Sequence, residues 1–411
     1  MIRRTASAVA VVLALLGSAG CGGVAAAGEN DYAVMTWSPS GSGGADRPGV
    51  TALAEAIGRE VNAKGGLGGH HLKVLTCNDH NTSDGATACA RQAVDAHVLA
   101  VVGSYSQFGD DFMPALEAAR IPYLGGYGLA GAEFSSPLSY PVAGGTPSLI
   151  AGSGRQLVEA GCRTVALIRP DTTAGDTLVG FLAAALKPAG VQSADVRAPE
   201  KGADYTALAK RAIGDDRAGG CVIAALGPDQ TVPLLAAYRA LAPKHTKLAS
   251  VAGSVEQSVV DATGGDSGPL AGAYVTGWFP PESAGVWDEL RSTVHDQAET
   301  DSRIQLSDLG VQTTWVAFQV FLRAEQRVRE GGHPLTAKSL RDELESGDSL
   351  DTGGVTPPLS WGIADMLPSA QSPRLVNTYV TFQQVKAGRL AEQQSGFVDV
   401  NWVLTGRKPP Q

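Results

Sequence analysis

Two doubly wound α/β lobes are the fold this sequence predicts, and three observations predict it. Short apolar strand signals alternate with amphipathic helical stretches. The alternation runs through the chain twice, with a Pro/Gly-rich joint between the series. The 411 residues, 44% apolar and 18% charged, supply material for more than one core.

The first series opens at Ala33–Trp37 and continues through Leu72–Thr76, Leu99–Val102 and Ile121–Leu124. Helical patterns fall between these strands at 50–64, 84–95 and 110–120; in the first, Leu53, Ala56, Ile57 and Val61 share one face. The second series comprises Val165–Ile168, Val191–Val196, Val222–Leu226, Leu248–Ala252 and Ala273–Val275, with helices expected at 174–189, 203–214 and 229–242. Apolar strands separated by helices are what parallel sheets covered on both faces require. Past Tyr274 the pattern changes to helices at 284–300, 308–330 and 336–346, then to strand signals at Thr378–Phe382 and Phe397–Val400. Residues 141–145, 276–281 and 353–373 are rich in Gly or Pro and suit joints between lobes.

Composition excludes several functions. Lys and Arg number 32 against 41 Asp and Glu, and no basic block occurs, which argues against nucleic acid as a partner. After the first twenty residues no apolar run approaches the ~20 needed to span a bilayer, which excludes a channel or permease. The N-terminus reads as an address. Arg3 and Arg4 precede the apolar run Ala8–Leu16, as in a secretory signal. Gly17-Ser18-Ala19-Gly20-Cys21 resembles a bacterial lipobox, with Ser18 where an aliphatic residue is usual. Residues 1–20 are expected to be a lipoprotein signal peptide, Cys21 the lipidated mature N-terminus, and 21–30 a tether. Cleavage of an ordinary signal near Ala25–Ala27 is the alternative. Loss of Arg3 and Arg4 takes the net charge from −9 to −11. A diacylglyceryl group on Cys21 anchors the chain stably to the outer face of a membrane.

Four cysteines remain, an even number that outside the cytoplasm implies disulfides. Cys77 ends a strand signal and Cys89 lies in the next helix, closing a short loop. Cys162 and Cys221 each open a strand signal, and parallel neighbours about 4.8 Å apart bring such starts within bridging distance. The expected pairs are Cys77–Cys89 and Cys162–Cys221. A metal site is not expected: only Cys77 with His80 has ligand-like spacing, and no second pair follows. No cofactor signature occurs. Gly-Lys is absent, so there is no phosphate loop, and Gly65-Gly66-Leu67-Gly68-Gly69 follows a helix, not a strand. The Gly-x-Ser-x-Gly elbow of a hydrolase is also absent.

Several segments together resemble a known family. They are Trp37-Ser38-Pro39-Ser40-Gly41, the run Glu60–Gly69, Cys77-Asn78-Asp79, Ala90–Val94, Val101–Ser104, Ile168–Thr172 and Ala225–Asp229. In this order and spacing they resemble the branched-chain amino-acid-binding type of ABC-transporter substrate-binding protein over about residues 31–400. The resemblance implies the type I periplasmic-binding-protein fold: two Rossmann-like lobes joined by three hinge crossovers. The first lobe would hold 31–143 plus 279–355, the second 144–278 plus 356–411. It implies a ligand bound between lobes that close on it, and a permease on which the closed form docks.

Open α/β sheets bind ligands beyond the carboxyl ends of their strands, where helix N-termini favour anions. Ser104 and Ser106 follow a strand end there, as donors to an anion or simply as caps of the helix near 110. Tyr127 falls where the family places a ligand-contacting loop. Trp37 ends the first strand, as an aromatic wall or as plain core. Asp171 and Gly227 follow strands of the second series on the cleft side, although Asp171 can equally cap the next helix. The family's cleft tyrosines of the second lobe fall near Ala174 and Gly227, and the carboxylate that grips an α-ammonium is expected near Ser254, with Glu256 the nearest candidate. These departures widen the expected ligand to amides, peptide fragments or aromatic acids. The expected function is a non-enzymatic, extracytoplasmic receptor of an ABC importer that captures a small molecule, an amino acid or a related carboxylate or amide. A ligand-sensing lipoprotein of the same fold, reporting to a regulator or sensor kinase, is the alternative.

Overall fold

The computed structural model describes residues 31–42, 46–297, 301–369 and 372–410. The expected signal peptide 1–20, Cys21 and the tether 21–30 lie outside the described residues. Among the described residues there are thirteen strands: β1 Asp31–Trp37, β2 His71–Cys77, β3 Ala100–Val102, β4 Tyr123–Leu124, β5 Ser139–Tyr140, β6 Thr164–Pro170, β7 Gln192–Ala198, β8 Gly220–Ala224, β9 Lys247–Val251, β10 Tyr274–Gly277, β11 Tyr379–Lys386, β12 Arg389–Glu392 and β13 Val398–Asp399.

The two series of strand signals form two separate sheets. The first has the order β2-β1-β3-β4-β5 and is wholly parallel. The second runs β12-β11-β10-β9-β8-β6-β7, with β13 paired to β11. Its strands β6 to β10 are parallel, and the late strands β11 and β12 join antiparallel. Both sheets reverse strand order at one point, between β1 and β3 and between β6 and β8. The loops leaving those strands diverge there and open a crevice.

Local chemistry explains the helices that flank the sheets. Pro48 occupies the first turn of helix Pro48–Ala63, where a missing N–H costs nothing. Thr82 and Thr172 cap helices Ser83–Asp95 and Thr173–Leu186 by accepting the Gly85 and Gly175 N–H groups. Helix Leu309–Glu330 is buried nearly all round, the pattern of a core helix. It packs on helix Pro48–Ala63 and against β3. Gly103, at φ +66° after β3, has no side chain to meet Thr314 of that helix; a Cβ there would stand 2.8 Å from the Thr314 Cα. The close approach is sealed by Thr314 Oγ1, which donates to the Gly103 carbonyl at 2.6 Å. That contact fixes the backbone from which the loop after β3 departs.

Helix Gly145–Glu159 follows the first joint and lies on the second sheet: Gln156 Nε2 donates to the Gln383 carbonyl at 2.9 Å and Thr276 Oγ1 donates to Gln156 Oε1 at 2.8 Å. The sequence pattern does not announce this helix, nor β5 or β12. Trp361 and Arg374, from the segments before and after the undescribed residues 370–371, pack on the first sheet's β5 edge. The Trp361 and Tyr140 rings are 5.9 Å apart, and Arg374 covers Tyr140 while its Nε donates to the Ser139 carbonyl at 2.8 Å. Both expected disulfides are present, Cys77–Cys89 and Cys162–Cys221, with Cα separations of 5.7 and 6.0 Å. The second joins the entries of β6 and β8, which are paired neighbours.

Candidate interlobe binding site

Three loops from the first sheet and one from the second meet at the carboxyl ends of their strands. The loop after β1 is pinned where the Arg47 N–H donates to the Pro39 carbonyl at 2.9 Å and Ser38 Oγ donates to the Arg47 carbonyl at 2.8 Å. The loop after β3 is tied to it, since the Tyr105 N–H donates to the Trp37 carbonyl at 2.9 Å. The loop after β4 carries Tyr127, whose N–H donates to the Ser104 carbonyl at 3.0 Å. Buried Glu133 clamps this last loop. Its Oε1 accepts the Leu129 and Ala130 N–H groups at 2.8 and 2.9 Å, and its Oε2 accepts the Gly128 N–H and the Tyr123 hydroxyl at 3.1 and 3.2 Å. Burial pushes the Glu133 carboxyl upward, and those donors hold it back.

At the centre Arg47 stands between two carboxylates. Its Nη2 is 3.7 Å from Glu256 Oε1, which comes from the loop after β9, and its Nε is 3.7 Å from Asp308 Oδ1. Asp308 also caps helix Leu309–Glu330, accepting the Gly310 N–H at 2.7 Å. The guanidinium lies 5.4 Å from the centre of the Tyr105 ring. Tyr105 meets Tyr127 edge-on at 4.8 Å, and Tyr127 meets Trp278 edge-on at 5.3 Å. Trp278 is held by its own Nε1–H, which donates to the Gly145 carbonyl at 3.0 Å.

The electrostatics follow from this burial. Glu256 is pushed up to about 7, first by burial and then by Asp308, against the lowering pull of Arg47. Asp308 is raised by burial in the same way, again against Arg47. Burial opposes the Arg47 charge, but Asp308, Tyr127 and Glu256 outweigh it and hold its pKa above the usual range. Tyr127 is raised well above an ordinary phenol, by burial and by the Glu256 charge. With both carboxylates ionised the cluster carries one positive and two negative charges. Arg47 Nε and Glu256 Oε1 are both buried without a hydrogen-bond partner.

A cavity of about 40 Å³ adjoins Glu256, walled by Val255, Trp278, Phe279, Glu282, Leu309 and Gln312 among others. A wider opening of about 500 Å³ shares Gln257, Glu282 and Ser307 with it.

Of the sequence-expected residues, Tyr127 and Glu256 come together in this cluster. Trp37 does not. Its ring is fully buried in the first sheet's core, 5.1 Å from Phe112 and 6.0 Å from Tyr123, because β1 is covered by helices on both faces. Ser104 and Ser106 are buried and engaged. Ser104 Oγ accepts the Trp37 N–H at 3.1 Å, and Ser106 Oγ accepts the Phe108 N–H at 3.2 Å. Neither caps the following helix, whose N-cap is Phe108 without a side-chain cap. Asp171 and Gly227 stand at the second sheet's crevice but remain exposed. Asp171 faces Arg197 at 3.6 Å, Thr172 rather than Asp171 caps its helix, and Gly227 is the N-cap of helix Pro228–Leu241.

The sequence reading missed Arg47, Tyr105, Trp278 and Asp308. Two carried a usable signal: Arg47 stands immediately before the Pro that starts a helix, and Asp308 is an N-cap residue before an apolar run. Among the described residues no three metal-ligating side chains converge, and no helix is long and apolar enough to cross a membrane.

Comparison with known proteins agrees with this fold. A family profile described as periplasmic binding protein matches residues 33–388. No curated protein sequence matches. Among solved structures, a fatty acid ABC transporter substrate-binding protein from Thermomonospora curvata is 13% identical with a TM-score of 0.70, covering 92% of this chain and 95% of its own. A solute binding protein of an ABC transporter from Rhodopseudomonas palustris BisB5, in complex with 3,4-dihydroxy benzoic acid, is 14% identical with a TM-score of 0.70, covering 90% and 98%. A leucine binding protein from Thermotoga maritima MSB8 is 14% identical with a TM-score of 0.67, covering 90% and 99%. At these identities the likeness is one of fold.

Proposed function

We propose, since this chain belongs to the periplasmic binding protein family, that it is the solute receptor of an ABC importer and captures a small ligand by closure of its two lobes. Its fold is the type I periplasmic-binding-protein fold, and members of the family bind small ligands and work with ABC-transporter permeases. The observation that carries the reading is the Arg47–Glu256–Asp308 cluster with Tyr105, Tyr127 and Trp278. It lies at the carboxyl ends of strands from both sheets, where an open α/β sheet offers its crevice. Ligand binds there without chemical change, and its greater affinity for the closed arrangement shifts the population toward that form.

The amino acid or related carboxylate or amide expected from the sequence is the first class to screen, and the paired charges support a ligand that itself bears charge. We assign 31–143 and 279–355 to the first lobe, together with the residues up to about 375 that pack on β5. The second lobe is then 144–278 and the remainder of the chain. Lipid on Cys21 would hold the receptor at the outer face of the membrane, a placement that two disulfides suit.

A thermal-shift screen of amino acids, amides, short peptides, aromatic acids and sugars tests the function. A ligand at 100 times its dissociation constant adds about 2.7 kcal/mol and raises the melting temperature. The expected result is a hit whose effect disappears in Tyr127→Ala. A screen in which no solute shifts the melting temperature, with no change in radius of gyration by X-ray scattering, would sink the receptor reading.

A further inference from the structure

The walls of the inner cavity are unbalanced in charge and in hydrogen bonding. They hold two carboxylates, Glu256 and Glu282, and no Lys or Arg; Glu282 has its own cation outside the walls, Arg389 Nη1 at 3.7 Å, so the unbalanced carboxylate is Glu256, which shares Arg47 with Asp308. Their amides are already occupied as donors. Gln312 Nε2 donates to the Leu306 carbonyl, Gln257 Nε2 to the Gly388 carbonyl and Gln383 Nε2 to the Phe279 carbonyl, each at 2.9 Å. Glu256 Oε1 is buried and accepts no hydrogen bond, and its nearest cation stands at 3.7 Å, too far for one. Arg47 cannot serve an incoming carboxylate freely, because Glu256 and Asp308 already flank it. Ser104 and Ser106, the hydroxyls the sequence offered to an anion, are buried, engaged and not among these walls. The apolar wall is aromatic and aliphatic, with Trp278, Phe279, Val255 and Leu309.

We propose that the ligand is an organic monocation, an amine or amidine on an apolar body and without a carboxylate, whose N–H⁺ group donates to Glu256. This deepens the receptor reading and rests on it. Such a ligand brings a donor to Glu256 Oε1, which has none, and neutralises the excess negative charge the cluster carries when both carboxylates are ionised. A zwitterion leaves that excess in place, and a carboxylate increases it. The aromatic wall suits the apolar body and the cation face alike. In the present lobe arrangement the cavity has about the volume of a water molecule or two. The ligand therefore enters as the lobes part and is enclosed when they return.

Two series of probes, each with one carbon skeleton and three charge states, test the class. The first is 3-methylbutan-1-amine, L-leucine and 4-methylpentanoate. The second is 2-phenylethylamine, L-phenylalanine and 3-phenylpropanoate. Calorimetry and thermal shift on the purified protein are expected to rank the amine tightest in at least one series, by at least ~10-fold over the amino acid, with the carboxylate weakest. Glu256→Gln is expected to erase that ranking, and wild-type ranking stands by itself should the variant fold poorly. An amino acid or carboxylate binding as tightly as the matching amine overturns the cation class and leaves the receptor reading intact. Binding by neither series overturns the cation class too. If the broad solute screen is also silent, the receptor reading falls with it.

Discussion

Glu256 carries an ionisable group into a contact between lobes where little water reaches it. Its carboxyl stands at about 7 in the folded chain against an ordinary 4.5. Between those values the folded chain binds more protons than the unfolded chain. Stability from this group is therefore fullest below about pH 4.5 and declines as the pH rises toward 7. The decline is on the order of 3 kcal/mol when the residue is fully ionised. Asp308, raised by the same burial, adds a trend of the same sign. Melting temperatures measured across this window should fall with pH in the wild type and fall less in Glu256→Gln; equal slopes would refute the assignment. The residue was legible in the sequence only as a carboxylate near a strand end. Its partner Arg47 was legible only as the residue before a helix-starting Pro, a signal that marks a helix start and not a charge partner.

At the scale of elements, the two disulfides close loops of very different length. The bonded cysteines are separated by 12 residues in one case and 59 in the other. Loop-closure entropy then assigns about 3 kcal/mol to Cys77–Cys89 and about 4 kcal/mol to Cys162–Cys221. Denaturant titration of the paired Cys→Ala variants should show the larger loss for Cys162/Cys221. The reverse order would mean that native-state effects outweigh chain entropy. Helix Gly145–Glu159 shows why one element escaped the sequence. Its two internal glycines, Gly152 and Gly154, and its Ser residues give it a weak intrinsic preference. Yet a Cβ at Gly152 would stand 2.6 Å from Val380 Cγ2, so the glycine lets the helix lie close on the second sheet. The helix forms because of what it packs against, and that information is absent from its own residues.

For the whole molecule, the Arg47–Glu256 pair joins a loop of the first sheet to a loop of the second. Arg47→Met would remove the guanidinium and leave Glu256 and Asp308 as two buried like charges. Breaking a buried pair in this way costs about 3 kcal/mol. Its expected signs are a lower melting temperature and a larger radius of gyration in small-angle scattering, as the lobes separate. Adding Glu256→Gln should recover part of both, because it removes the stranded charge. A variant with unchanged radius and melting temperature would show that the pair does not hold the lobes together.

The sequence by itself determined the architecture of this protein. Apolar runs at strand length, helical periodicity between them and the spacing of four cysteines are local properties, and together they specify one parallel sheet, the parallel strands of a second, mixed sheet and both disulfides. Through the family resemblance it also placed Tyr127 and Glu256 on loops after strands, and the structure brings those loops together. Only the tertiary structure decided which side chains share a site. Trp37 turned into the core because β1 is central and covered on both faces, whereas Asp308 became both helix cap and member of the charged cluster. Contacts between residues far apart in the chain depend on how two sheets and one buried helix meet, and no local pattern encodes that distance.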